Sequence, residues 1–236
     1  MRRLAEWIYG TYALIVWAVL IFIVFCPLII LGPTLAIRRA IGRAAVKITM
    51  AACFAPLHVR GLERLPAGAC IVVSNHASYI DGLVLTAALP SRFTFVVQDG
   101  AARWPYVGLV IRRMGVSFVN RVSAHEGARQ TRELIRRLQN GESLTVFAEG
   151  TFKGPPGLLP FRKGAFLMAA KTGVPVVPAV IRGTRRFLGG DVHWPRHSRI
   201  EIEIFEPIAA HTDSLTTMQR ARATVLKHCG EPDTVK

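Results

Sequence analysis

The stretch Ala69–Leu89, "ACIVVSNHASYIDGLVLTAAL", decides how the chain is read. Its apolar run "CIVV" has the length and branching of a buried strand, "GLVLTAAL" has the composition of a helix, and Ser74–Asp81, "SNHASYID", lies between them as a turn. Residues five apart on one α-helix sit about 140° around its axis, so His76 and Asp81 cannot face each other inside a helix. Across a strand-to-helix turn they can meet. Asp81 then accepts a hydrogen bond from one imidazole nitrogen and fixes the tautomer. The other nitrogen is left free as a base, which is the orienting logic of a triad without a protein nucleophile. The nucleophile would be a substrate hydroxyl. A blander reading stays open: Ser78 and Asp81 also fit an S-x-x-D capping box, in which Asp81 only stabilises a helix start, by about 0.5–2 kcal/mol.

The same alternation continues along the chain. Strands are expected at Ile71–Ser74, Phe93–Val97, Val116–Asn120, Leu144–Ala148, Val176–Ile181 and Ile200–Phe205, and helices at Ile80–Leu89, Tyr106–Arg113, Ala124–Asn140, Lys163–Thr172 and Leu215–Cys229. Ser123 with Glu126 three residues on marks one helix start, and Asn140–Gly141 its stop. Strands alternating with helices predict a single α/β domain with a mostly parallel or mixed central sheet flanked by helices. No internal repeat or low-complexity segment interrupts it. After Asp213 the chain reads as a closing helix followed by a frayed end.

At 236 residues the chain suits one large domain. Thirty Lys and Arg against fifteen Asp and Glu give a net charge of +15, which predicts phosphate-bearing partners: nucleic acid, anionic lipid or an acidic substrate. The N-terminus narrows that choice. No charged residue occurs from Trp7 to Ile37, and "YALIVWAVLIFIVFCPLIILG" exceeds the roughly 20 apolar residues that cross a bilayer. The apolar run is too long for a signal-peptide core, and "LGPTLAIRRA" has no small-x-small cleavage pattern. Pro27 and Pro33 make a re-entrant helix as reasonable as a crossing one. Arg38, Arg39, Arg43 and Lys47 after the run favour the cytoplasmic side. The expected organisation is therefore a membrane segment over 1–48 and a catalytic domain over 49–236, at the cytoplasmic face of the cytoplasmic membrane. Cys26, Cys53, Cys70 and Cys229 have no ligand spacing, so no metal is expected.

Three further turns carry chemistry. "SLTVF" ends in "AEGTFKG", putting Glu149, Gly150 and Thr151 at a strand end where backbone N–H groups can hold an oxyanion or phosphate; its bland alternative is a surface turn. "MGVSFVNR" places Arg121 just past a strand, where a guanidinium can fork onto a phosphate, or merely be solvated. "KTGVPVVPAVI" sets Pro175 and Pro178 around a short strand, more an edge or channel wall than chemistry.

Taken in order, His-x4-Asp, Gly…Asn-Arg, Glu-Gly-Thr and Val-Pro-x-x-Pro resemble the four blocks of the glycerolipid acyltransferases, specifically the bacterial PlsC-like 1-acylglycerol-3-phosphate O-acyltransferases. The resemblance covers roughly residues 50–210 and the membrane-associated N-terminus. It implies His76 as general base on the acceptor hydroxyl and Asp81 as its orienting partner. It implies Arg121, Glu149, Gly150 and Thr151 around the glycerol phosphate, with Lys153 and Lys163 as nearby cations and Pro175 and Pro178 shaping the site. The implied donor is an acyl thioester on coenzyme A or acyl carrier protein, the acceptor a lysophospholipid, with anionic membrane lipids as partners, no cofactor and no nucleic acid. Two departures bear on the acceptor: the family's Phe-Pro-Glu-Gly-Thr-Arg is here Phe147-Ala148-Glu149-Gly150-Thr151-Phe152, and Asn120 stands where an acidic residue precedes the arginine. The absence of a G-x-S-x-G elbow argues against an acyl-enzyme. Rival readings are transfer to another lysolipid, such as lysophosphatidylethanolamine or lyso-ornithine lipid, transfer to water as in a lipase or thioesterase, and a non-enzymatic basic membrane module.

Overall fold

The structure, a computed structural model, describes residues 2–98, 104–119, 124–190, 194–210 and 213–235. It opens with one long helix: α1 (Arg2–Trp17), a π-helical stretch (Ala18–Phe25) and α2 (Cys26–Leu31). Gly32 and Pro33 end it. Thr34 then caps α3 (Leu35–Ala52) by accepting from the Ile37 N–H at 3.3 Å. There follow β1 (Leu57–Arg60), β2 (Ile71–Ser74), α4 (Asp81–Ala88), β3 (Phe93–Gln98), α5 (Pro105–Arg113), β4 (Ser117–Val119), α6 (Ala124–Gln139), β5 (Ser143–Phe147), α7 (Gly164–Thr172), β6 (Val176–Arg182), α8 (Thr184–Leu188), β7 (Ile200–Ile204) and α9 (Ser214–Cys229).

Every strand and helix expected past residue 50 is present, with ends moved by no more than one residue. Ser123 lies outside the described residues. Three elements escaped the sequence reading: β1, the 3₁₀ turn Leu62–Arg64 and α8, whereas α3 is the second arm of the N-terminal hairpin, one of the forms expected for the membrane segment. β1, "LHVR", alternates half-buried with exposed positions and carries two polar side chains, so its apolar signal is weak. The expected division between residues 48 and 49 falls inside α3, which runs on to Ala52 and packs along α4.

The seven strands form one mixed sheet in the order β1-β7-β6-β2-β5-β3-β4. β6, β2, β5, β3 and β4 are parallel; β7 is antiparallel to β6, and β1 runs parallel to β7. Both faces are covered, which is why "IVVS" in β2 is buried at every position. Val72 joins Met50, Val84, Leu85 and Ile202 on the α3/α4 face. Ile71 and Val73 join Leu134, Phe166 and Val225 on the α6/α7/α9 face. β5 inserts between β2 and β3, with Ser74 opposite Phe147, so chain segments 73 residues apart emerge side by side at the carboxyl end of the sheet. In open α/β sheets that end is where ligands bind.

The helical hairpin is tied to the rest of the molecule along its length. Near its start, Tyr9 and Tyr12 hydroxyls donate to the Cys53 and Ala52 carbonyls at 2.8 Å, and the Trp7 and Trp194 rings lie 4.8 Å apart. Near its end, the Tyr106 hydroxyl donates to the Phe22 carbonyl at 2.7 Å and Arg113 Nη2 to the Ile30 carbonyl at 2.6 Å. Its other side exposes Leu4, Ile8, Ile15, Val19, Phe22 and Ile23. The helix Arg3–Leu31 is long and apolar enough to cross a membrane.

The segment after α9 is not frayed. Leu158 pairs with Asp233 in an isolated bridge, and the Leu158 N–H donates to the Pro232 carbonyl at 2.8 Å.

Candidate active site

His76 stands two residues past β2, and Asp81 opens α4, where a carboxylate also suits the positive end of the helix. His76 Nδ1 lies 2.9 Å from Asp81 Oδ2. The same oxygen accepts from the Ala77 N–H at 2.6 Å and the Ser78 N–H at 2.8 Å. Asp81 is fully buried. Both readings of the octapeptide therefore meet in one carboxylate: its bond to the Ser78 N–H is half of a capping box, and its bond to His76 orients the ring. Ser78 Oγ supplies the hydroxyl half one residue early, accepting from the Ile80 N–H at 3.2 Å while it donates to the Leu188 carbonyl at the end of α8.

The backbone of the histidine turn is held from two other strands. Asn75, buried, donates to the Ile181 carbonyl at 2.9 Å and accepts from the Ile181 N–H at 2.8 Å, an amide standing in for one more rung of the β2–β6 ladder. Glu149, just beyond β5, accepts from the His76 N–H at 2.6 Å through Oε1 and from the Leu159 N–H at 2.7 Å through Oε2. It is 3% exposed. Burial pushes its carboxyl up to about 7, against the opposing pull of the two N–H donors. Glu149 was expected around the acceptor phosphate. Each of its oxygens accepts from a backbone N–H, which ties the turn after β5 to the His76 turn. Likewise, the N–H groups of residues 76, 77 and 78 are spent on Glu149 and Asp81.

Gly150 sits at φ +77°, a conformation that costs a glycine nothing, and its N–H closes the turn on the Phe147 carbonyl at 3.0 Å. Thr151 and Lys153 are exposed on the loop beyond, as is Lys163 before α7. Two aromatic rings meet the imidazole, Phe147 stacked at 4.1 Å and Phe152 edge-on at 4.6 Å, and Tyr79 extends the cluster by meeting Phe152 edge-on at 4.9 Å. Sequence reasoning missed Asn75, Phe147 and Tyr79 as parts of this site. Only their nearness to His76 and Glu149 in the chain signalled them.

Arg121 lies outside the described residues. The two prolines are not brought to the histidine. Pro175 accepts from the Ile71 N–H at 3.0 Å, at the opposite end of β2, and Pro178 pairs with Val73. Nor is β6 an edge: it lies between β2 and β7, where Pro178 still accepts from the Phe205 N–H at 2.9 Å. Two surface hollows, one of about 580 Å³ along β4 and α6 rimmed by Arg129, Arg132 and Arg136, the other of about 350 Å³ beside Arg43 and Lys47 on α3, lie away from His76.

Residues 56–182 match the sequence profile of the family described as Acyltransferase. The chain is 34% identical over 153 residues to a chloroplastic 1-acyl-sn-glycerol-3-phosphate acyltransferase of Brassica napus, covering 64% of this chain and 44% of that protein. It is 31% identical over 146 residues to a 1-acyl-sn-glycerol-3-phosphate acyltransferase of Borreliella burgdorferi, covering 61% and 58%. The chain thus spans about half the length of these curated relatives. In fold it is similar to the crystal structure of the 1-acyl-sn-glycerophosphate acyltransferase PlsC from Thermotoga maritima, with a TM-score of 0.78 over 96% of this chain and 95% of that one, at 23% identity.

Proposed function

The chain belongs to the Acyltransferase family, its profile match covering more than half of the sequence, and on that premise we propose that it is a membrane-associated O-acyltransferase of phospholipid biosynthesis. It moves a fatty acyl group from a coenzyme A or acyl-carrier-protein thioester to the free hydroxyl of a lysophospholipid, foremost 1-acyl-sn-glycerol-3-phosphate, giving phosphatidic acid. The observation that carries this reading is the 2.9 Å pair of His76 Nδ1 and buried Asp81 Oδ2.

In the proposed reaction Nδ1–H donates to Asp81, so Nε2 is the base. It takes the acceptor hydroxyl proton as that oxygen attacks the thioester carbonyl; the C–S bond then breaks, and the proton passes from Nε2 to the departing thiolate. An ester and a free thiol result, with no acyl-enzyme. Phe147, stacked on one face of the imidazole, and Phe152, set edge-on against it, limit how the ring can turn. Lys153 and Lys163, with Arg121, supply positive charge for the acceptor phosphate.

The catalytic part of the chain, residues 49–236, works at the cytoplasmic face of the membrane in this proposal. The N-terminal hairpin lies in the interface rather than crossing it. A helix crossing an apolar layer of about 30 Å cannot keep both ends against one folded domain, and this one is bonded to that domain near both ends.

One observation favours a second acceptor. Phe152, whose position the family fills with arginine, packs on His76 and Tyr79 and offers no cation to a phosphate monoester. That suits a lysolipid with another head group, lysophosphatidylethanolamine or lyso-ornithine lipid. The deciding experiment is acyl transfer from labelled acyl-CoA and acyl carrier protein, in detergent, to these acceptors and lysophosphatidic acid, with His76→Ala alongside. Product on one acceptor, lost in the variant, supports the proposal and names the acceptor. No product from any pair overturns it.

A further inference from the structure

Between the histidine turn and the loop after Glu149 sits α8 with Gly189 and Gly190, "TRRFLGG", a segment to which the proposed chemistry assigns no role. Its end touches both loops backbone to backbone. A Cβ on Gly189 would lie 2.5 Å from the Ala77 carbonyl oxygen, and one on Gly190, at φ +56°, 2.6 Å from Gly154 Cα. Ser78 Oγ bonds Leu188 from the histidine side.

On the other side Arg185 reaches across. Its Nη1 donates to the carbonyls of Lys153 and Gly154 at 2.9 Å and of Pro155 at 3.4 Å, while Nε pairs with Glu231 Oε1 at 2.6 Å. Glu231 Oε2 in turn accepts from the Gly157 N–H at 2.5 Å. The pair is mostly buried, with side chains 17% and 12% exposed. Its contacts with the loop are all to main chain, so they set where Thr151, Phe152 and Lys153 stand without using those side chains. Holding several carbonyls and a carboxylate at once requires a planar fork of donors, which a single ammonium does not provide.

We propose that Arg185, clamped by Glu231, is a positioning residue for the acceptor: it fixes the Lys153–Pro155 backbone relative to the His76 turn and thereby sets the affinity for the lysolipid head group. This rests on the acyltransferase reading given above. The hydrogen bonds of Arg185 go to the loop and to Glu231 and none to residues 74–81, so acceptor binding should respond most.

The test uses the full chain in detergent, comparing Arg185→Ala, Arg185→Lys and Glu231→Gln with wild type. Arg185→Ala is expected to raise the acceptor KM about tenfold while kcat and the acyl-CoA KM stay within about threefold. Arg185→Lys and Glu231→Gln should fall between it and wild type. In parallel, amide hydrogen exchange of Lys153, Gly154 and Gly157 should speed up about tenfold in Arg185→Ala, with residues 74–81 unchanged. An unchanged acceptor KM, or kcat and both KM values failing together with a lowered Tm, overturns the proposal. If Arg185→Ala does not fold, Glu231→Gln and Arg185→Lys decide by the same split. If wild type transfers no acyl group, it is the functional reading that fails. The exchange measurement then still decides whether Arg185 holds the loop, and unchanged exchange overturns that.

Discussion

The two loops that meet at His76 are fixed in opposite ways. In the turn of residues 74–81 the imidazole is held from within, since Asp81, five residues on, binds that ring and two N–H groups of the same turn, while Asn75 and Glu149 tie its backbone to β6 and to the turn after β5. The loop of residues 150–157 is fixed from without, by Arg185 and Glu231 from distant parts of the chain. The difference assigns them different tolerances. On the proposed reading, a base must keep its angle and tautomer within narrow limits, so its supports are short and buried. A loop that would meet an acceptor head group is exposed, and what must be constant is only its distance from the base.

The largest expected effect tests the first half of that contrast. His76→Ala should lower kcat by about 10³-fold or more with a modest drop in Tm, because Asp81 loses the imidazole but keeps the Ala77 and Ser78 N–H donors. Steady-state acyl transfer and a thermal melt measure both. Asp81→Asn comes next: it replaces one carboxylate oxygen with a donor beside two N–H groups and an imidazole, and should cost about 10²–10³ in kcat while also lowering Tm. A variant with normal kcat would show that the ring is oriented by Phe147 and Phe152 instead.

Glu149 joins the two loops, and its predicted signature is a pH dependence. With an ordinary value of 4.5 in the unfolded chain and about 7 when buried, it holds a proton in the folded state that the unfolded chain gives up. Its contribution to stability is full below about pH 4.5 and is lost as pH rises through about 7, at most about 3 kcal/mol. Denaturant melts at pH 5 and pH 8 should show that difference in wild type. In Glu149→Gln the difference should shrink, on a chain already destabilised at both pH values by the mismatched N–H contact. The smallest effect concerns the outer loop. Phe152→Arg should shift the ratio of lysophosphatidate to lysophosphatidylethanolamine turnover toward the phosphate monoester by about tenfold. A ratio that does not move would place the head group away from this loop.

The same contrast governs what could be read from the sequence. The strand, turn and helix around His76 were legible because their partners are local, and β5 with Glu149 was legible because a strand-end turn has a recognisable composition. The use of Glu149 was not legible: nothing in "AEGT" says that its carboxylate bonds a backbone N–H 73 residues earlier. The role of the Val-Pro-x-x-Pro run was misplaced because prolines disfavour interior strands, yet Pro178 sits in one by keeping only its acceptor. The closing segment looked frayed because its polar residues find their partners, Gly157, Leu158 and Arg185, far away in the chain.

The insertion of β5 between β2 and β3 has a consequence in time as well as in space. As the chain is synthesised the greasy hairpin and β2 come first, but β2 cannot gain its neighbour β5 until some seventy more residues exist. Until then β2 and β3 each expose an unpaired edge. On the membrane-associated reading proposed above, the hairpin meets lipid before the fold is complete, and His76 acquires its Glu149 support only when the central strand slots home. An enzyme of that design would be anchored early and armed late.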